Sequence, residues 1–333
     1  MMNNHIQFRA MNTDISAIFP AIEEKRLDSV LRAAKQFFER SEIQFSRFRK
    51  TSELCDLNRK AGSLSLISDD MAEVLELAEH YYEMTEGWFD ITILNALEAE
   101  GYDQTFERLA STSANAIQDN DDSDSGRSEA TRSTLHLFAE DNCRETSPSL
   151  YPLKLNRRMR SMQMPEDCSI DLGGLVKSWT VKRLAAYLRR DWGVARGLIN
   201  AGGDLMAWGG YGDDEPWRVG YEDPWNPEME FGQASFRNGA MATSSTLGRR
   251  WATDEGVKHH LINPRTRSSG QSDVAQCTVI GADPVICEVW AKTLCLCGGE
   301  AGAELLLRNA PDYEAQLFTK SKEMIWLRRA EYV

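Results

Sequence analysis

Ile170-Asp171-Leu172-Gly173-Gly174-Leu175-Val176-Lys177 and, one helix later, Asn200-Ala201-Gly202-Gly203-Asp204 decide how this chain is read. In both stretches an apolar run meets a pair of glycines with a carboxylate at the turn. The first predicts a strand over 169–172, a bare backbone turn, and a helix over 175–190 anchored by Leu175, Trp179, Leu184 and Leu188. The second predicts a strand over 197–200 that runs into its own turn. Free N–H groups at the first turn of a helix, with the dipole behind them, suit a phosphate, and glycine lets a ligand approach the backbone closely. Lys177 adds a cation one turn into the helix. The same residues also make an ordinary strand-to-helix turn with a surface lysine. A dinucleotide-binding Gly-x-Gly-x-x-Gly loop is disfavoured, because neither turn has that spacing.

Outward from these turns, strands and helices mix without a steady βαβ rhythm, which predicts an α+β fold. An opening strand is expected over 7–19, then an amphipathic helix carrying Leu27, Val30, Leu31, Ala34, Phe37 and Phe38 at helical spacing. Ser68 reads as the N-cap of a second helix whose apolar face is Val74, Leu75, Ala78, Tyr81 and Tyr82, with Gly87 closing it. Further strands are expected over 217–221, 274–280 and 316–327, and helices over 285–296 and 301–308. Residues 111–132, rich in Ser, Thr, Asn and Asp, have almost nothing to bury and predict a mobile polar insertion in an otherwise single 1–333 domain.

The 333 residues carry 38 Lys and Arg against 51 Asp and Glu, a formal charge of −13 that argues against nucleic acid and anionic membrane surfaces as partners. No run approaches the roughly 18 apolar residues of a membrane helix. Met1-Met2-Asn3-Asn4-His5 has neither a basic start nor an apolar core, and the seven cysteines form no Cys-x-x-Cys pair. Both features predict a cytoplasmic protein with reduced thiols.

The two glycine turns together resemble the central signature of the ApbE family, the FAD:protein FMN transferases. Other blocks agree in order. Ala10-Met11-Asn12-Thr13 resembles the family's Met-Gly-Thr, and Phe45-Ser46-Arg47-Phe48-Arg49 with Ser52-Glu53-Leu54 and Asn58 resembles its Ser-x-[Tyr/Phe]-x-x-x-Ser-x-[Leu/Ile] stretch. Gly87-Trp88-Phe89-Asp90-Ile91-Thr92 resembles Gly-x-Phe-Asp-x-Thr. Met241-Ala242-Thr243-Ser244 and His259-His260-Leu261-Ile262-Asn263-Pro264-Arg265-Thr266 resemble Ala-Thr-Ser-Gly and His-His-Ile-[Ile/Leu]-Asp-Pro-x-Thr.

The resemblance implies a T-fold-like protein of mixed and antiparallel sheets with packed helices. It implies that FAD is split at its pyrophosphate with help from Mg²⁺, that FMN is attached through a phosphoester to a Ser or Thr hydroxyl of an acceptor protein, and that AMP is released. On family positions that touch FAD stand Met11, Phe48, Trp88, Phe89, Asp90, Asp171, Lys177 and Leu261. Trp88 and Phe89 also read as core packing after a helix end. His260 is the candidate general base, since an imidazole with a pKa of about 6.5 can take the hydroxyl proton, and His259 is its bystander. Asp171→Ala is expected to weaken FAD binding with the fold intact.

The departures lie in the late metal block. Where the family has an Asp and a Thr one turn apart, this chain has Glu288 and Lys292 in Cys287-Glu288-Val289-Trp290-Ala291-Lys292-Thr293. Gly174 would supply a backbone carbonyl to a metal and Glu288 a carboxylate, but a protonated Lys292 cannot coordinate one. Lys292 reads either as the partner of a helix-face salt bridge or as a substitute for part of the cation's charge. Asn263 and Arg267 stand where the family has Asp and Gly. The alternatives to flavin transfer are a flavin-binding protein without catalysis and an FAD pyrophosphate hydrolase giving FMN and AMP.

Overall fold

The computed structural model describes residues 4–113 and 151–328. Its centre is an antiparallel sheet of eight strands in the order His5–Ala10, Thr13–Ile18, Gly197–Ala201, Asp204–Trp208, Gly239–Ser245, Val274–Gly281, Glu314–Thr319 and Met324–Leu327. The α+β expectation holds. Three helices, Glu24–Phe45, Val176–Asp191 and Pro284–Cys297, cover one face. Alternation along each strand explains why. Ala17, Ile199, Ala240 and Ala242 point to the helical side, where Phe38, Val181, Leu184, Trp290 and Leu294 bury them. Leu205 and Met241, which are paired across two strands, point the other way into a small core under the hairpin Trp217–Asp223 and Asn226–Phe236. The helix Asp69–Met84 packs instead on the segment before Val176, and Ser68 caps it by accepting the Met71 N–H at 3.2 Å.

Three expectations change. The strand over 7–19 is a hairpin, because Met11 and Asn12 take positive φ angles of 49° and 60° and turn the chain back on itself. The strand over 316–327 is likewise split, with Lys322 at φ 65° in the turn. Residues 169–172 form no strand. Asn58 holds that segment instead, its amide donating to the Ile170 carbonyl at 3.0 Å and accepting the Ile170 N–H at 2.9 Å. A side chain has replaced a neighbouring strand as partner for the backbone. Of the expected insertion, Ser111–Ser113 close the helix Phe106–Ser113, and the remainder lies outside the described residues.

The two glycine turns and the first hairpin meet at one end of the sheet. Gly202 donates its N–H to the Asp14 carbonyl at 3.1 Å, and a Cβ on Gly202 would lie 2.0 Å from Thr13 Oγ1. With φ at 62° as well, no other residue fits there. The stacked turns carry Met11 to the mouth of a cavity.

Candidate active site

That cavity has a volume of about 410 Å³. Met11 and Phe48 stand at its rim, Trp88, Phe89 and Leu261 form apolar wall, and Asp90, Asp171, Gly174, Lys177, His260 and Lys292 complete the expected set. Glu288 alone of the expected residues does not line it, being fully buried beneath the two lysines. Residues far apart in sequence thus converge on one space. Trp88 and Phe89 are both core and wall: each is buried, in separate clusters, with one edge on the cavity. The Arg265 guanidinium stacks 4.2 Å from the Trp88 ring centre.

The floor is an ion network. Lys177 Nζ binds Asp204 and lies 3.1 Å from Glu288 Oε1, while Lys292 Nζ lies 2.8 Å from the same oxygen. The other Glu288 oxygen accepts the Ser178 N–H at 3.2 Å. Burial works to push Glu288 up, but the two ammonium groups outweigh it and hold the carboxyl well below the usual range. Asp204, equally buried and facing the Glu288 charge, is pushed up to about 6 despite Lys177. Lys177 therefore reaches the cavity with its charge already balanced, and it is not the free cation that the glycine turn suggests.

His260 lies above this floor. Its Nδ1 is buried and has no hydrogen-bond partner. Burial, followed by the positive charges of Arg249, Lys292 and Lys177, drives its pKa well below the ordinary value, so the imidazole stays neutral. His259 is held structurally: its Nδ1 accepts the Leu261 N–H at 3.3 Å, which leaves Nε2 protonated to donate to the Gly270 carbonyl at 2.9 Å.

Two acids are already engaged. Asp171 Oδ2 is 3.0 Å from Arg47 Nε, both side chains being largely buried, and its Oδ1 accepts the Gly173 N–H at 2.9 Å. Asp90 accepts from the Thr92 N–H and hydroxyl, both at 2.7 Å, and Arg267 donates to the Thr92 carbonyl at 2.8 Å. Arg267 has φ at 57°, the conformation a glycine takes freely, so its guanidinium contacts offset a backbone cost. Asn263 replaces Asp without loss of the turn: its Oδ1 accepts the Arg265 N–H at 2.9 Å.

Sequence reasoning assigned no role to Arg47, Asp204 and Arg249. Arg47 sits inside a quoted block, stacks on Phe48 at 4.2 Å and on Tyr102 at 4.5 Å, and keeps its Nη2 buried without a partner. Arg249 lines the cavity and forms no ion pair among the described residues. No local pattern marks it, because its place follows from the turn after the Gly239–Ser245 strand.

The profile of the ApbE family matches residues 11–317. The chain belongs to the ApbE family. A protein of Klebsiella pneumoniae named FAD:protein FMN transferase is 28% identical over 157 residues, which is 47% of this chain and 47% of that protein. One of the same name from Vibrio cholerae is 25% identical over 80% of this chain and 72% of its own length. The crystal structure of the ApbE protein of Thermotoga maritima superposes with a TM-score of 0.78 at 18% identity, covering 96% of each chain. The ApbE fold is therefore common to both. The metal block does not carry over as simply. Among the described residues no group of three His, Cys, Asp or Glu side chains can hold a metal ion. Both Glu288 oxygens already accept hydrogen bonds, and a Cβ on Gly174 would lie 3.2 Å from Lys292 Cε. These residues do not fit a divalent cation.

Proposed function

We propose that this chain is an FAD:protein FMN transferase whose 1–333 residues act as one catalytic unit in the cytoplasm. The observation that carries the reading is the convergence of the family's flavin-contact positions with a neutral, unpartnered His260 on one cavity. The hydroxyl oxygen of a Ser or Thr on the acceptor protein attacks the phosphorus of the FMN half of FAD. The bond from that phosphorus to the bridging oxygen breaks, AMP leaves with the bridging oxygen, and the hydroxyl proton passes to His260. Positioning and charge neutralisation do most of the work in such a transfer. Trp88, Phe89 and Leu261 offer surface to the flat rings, Met11 and Phe48 close over them, and the acids Asp90 and Asp171 fix the neighbouring loops. The test is mass spectrometry of a Thr-bearing acceptor peptide incubated with the protein and FAD. A peptide carrying FMN, with AMP released, is the expected result. FMN and AMP formed at the same rate without peptide would make the protein a hydrolase instead.

Two outcomes follow from the cavity. Arg249→Ala is expected to weaken FAD binding by about 1.5–3 kcal/mol, the worth of a hydrogen bond to a charged group, and to weaken FMN, which lacks the pyrophosphate, less. Equal losses for both ligands in calorimetric titration would move Arg249 away from the pyrophosphate. The second concerns pH. Because His260 stays neutral below its ordinary value, transfer is expected to run flat through about pH 6.5, where a free imidazole would protonate. A loss centred there that persists in Asp204→Asn, which removes the carboxyl pushed up to about 6 on the cavity floor, would contradict the buried, neutral base. Folding pays on the acid side: the unfolded state binds the His260 proton below about pH 6.5 and the folded state does not, so this group's contribution to stability falls as pH falls through that value.

A further inference from the structure

We propose that Lys292 takes the place of the divalent cation, so that this chain binds and splits FAD with no metal ion. The inference rests on the transferase reading for the splitting step and on geometry alone for the binding. Three positions would have to converge on a metal: the Gly174 carbonyl, the residue at 288 and the residue at 292. Here the stem of Lys292 runs along Gly174, with Cε 3.2 Å and Cδ 3.4 Å from where a Cβ on that glycine would lie. Its ammonium ends 2.8 Å from Glu288 Oε1. The side chain therefore occupies the space between the carboxylate and the glycine. A small divalent ion needs oxygen ligands at about 2.0–2.1 Å, and Glu288 Oε1 would have to release both Lys177 and Lys292 to supply one.

Lys292 and Lys177 balance the charges of Glu288 and Asp204 on the cavity floor. Arg249, which lines the same cavity and forms no ion pair among the described residues, adds a charge of +1 beside them. A lysine on a surface helix face would be free to swing into water. This one is held, with its side chain 17% exposed, against a Glu288 that is 0% exposed and tied to a second helix through the Ser178 N–H. During transfer the atoms move as in the proposed reaction, from hydroxyl oxygen to phosphorus with AMP leaving, and the ammonium and guanidinium meet the charge that develops on the departing phosphate.

The experiment compares FAD titrations of the full-length protein in EDTA and in excess MgCl₂, followed by peptide flavinylation under both conditions. Wild type is expected to give the same dissociation constant and the same rate in both. Loss of binding or of transfer in EDTA, restored by Mg²⁺, would overturn the proposal. Lys292→Thr is expected to bind FAD about tenfold more weakly in EDTA, equivalent to about 1.4 kcal/mol, and to recover with Mg²⁺, since a hydroxyl now faces Glu288. Lys292→Met is expected to lose affinity similarly and gain nothing from Mg²⁺. Variants that bind like wild type in EDTA would reduce Lys292 to a salt-bridge partner and end the idea. Metal-independent FAD binding with no peptide modified under either condition would sink the transferase reading while leaving the cation replacement standing.

Discussion

Replacing His260 by alanine is expected to lower FMN transfer about 10²–10⁴-fold, the range for loss of a general base, and to leave FAD bound. The other carboxylates at and beneath the cavity are already engaged. Asp171 is tied to Arg47, Asp90 to Thr92, and Glu288 to two lysines. The carboxyl of Asp204 is locked on Lys177 below the cavity floor. His260 lines the cavity with a neutral ring, and its buried Nδ1 has no partner among the described residues. It is kept neutral by burial first and then by the positive charges of Arg249, Lys292 and Lys177. The check is a single-turnover assay with FAD binding measured in parallel. An alanine variant that transfers at the wild-type rate removes His260 from the chemistry. One that loses FAD as well makes it part of the binding wall.

Asp171→Ala is expected to cost about 3–5 kcal/mol of folding stability, the penalty for breaking a buried ion pair by removing one partner. This revises the expectation from the sequence that the substitution leaves the fold intact. Arg47 Nε lies 3.0 Å from Asp171 with side-chain exposures of 8% and 13%, and Arg47 already has one nitrogen without a partner. Without Asp171, a guanidinium pressed against Phe48 and Tyr102 would hold an uncompensated charge out of water. Urea unfolding followed by tryptophan fluorescence reads the loss. The double variant Arg47→Met, Asp171→Ala is expected to regain most of it, because the stranded charge is gone. If the single variant unfolds at the wild-type urea midpoint, the pair contributes nothing and Asp171 is free for the ligand.

The helices were legible because their apolar residues repeat at 3.6-residue spacing, and Ser68 announces its helix through a side-chain oxygen that reaches the Met71 N–H. Gly202 was legible because only glycine tolerates φ at 62° beside Thr13. The hairpin at Met11-Asn12 was not, since two non-glycine residues in the left-handed region leave no compositional mark. Nor was the segment 169–172: an extended backbone reads as a strand, and nothing local reveals that Asn58, more than a hundred residues away, will satisfy it.

By itself the sequence determined the α+β class, the family and the residues gathered around the cavity, because those follow from local periodicity and from motifs whose spacing survives in the chain. Tertiary structure alone decided the state of each charge. Lys177 is balanced by Asp204 from the neighbouring strand, Asp171 by Arg47 from the turn after the Glu24–Phe45 helix, and Glu288 by lysines from two helices, whereas Arg249 is left without an ion pair among the described residues. Coulomb energy depends on distance through space and on exclusion of water, and neither quantity is written along the chain.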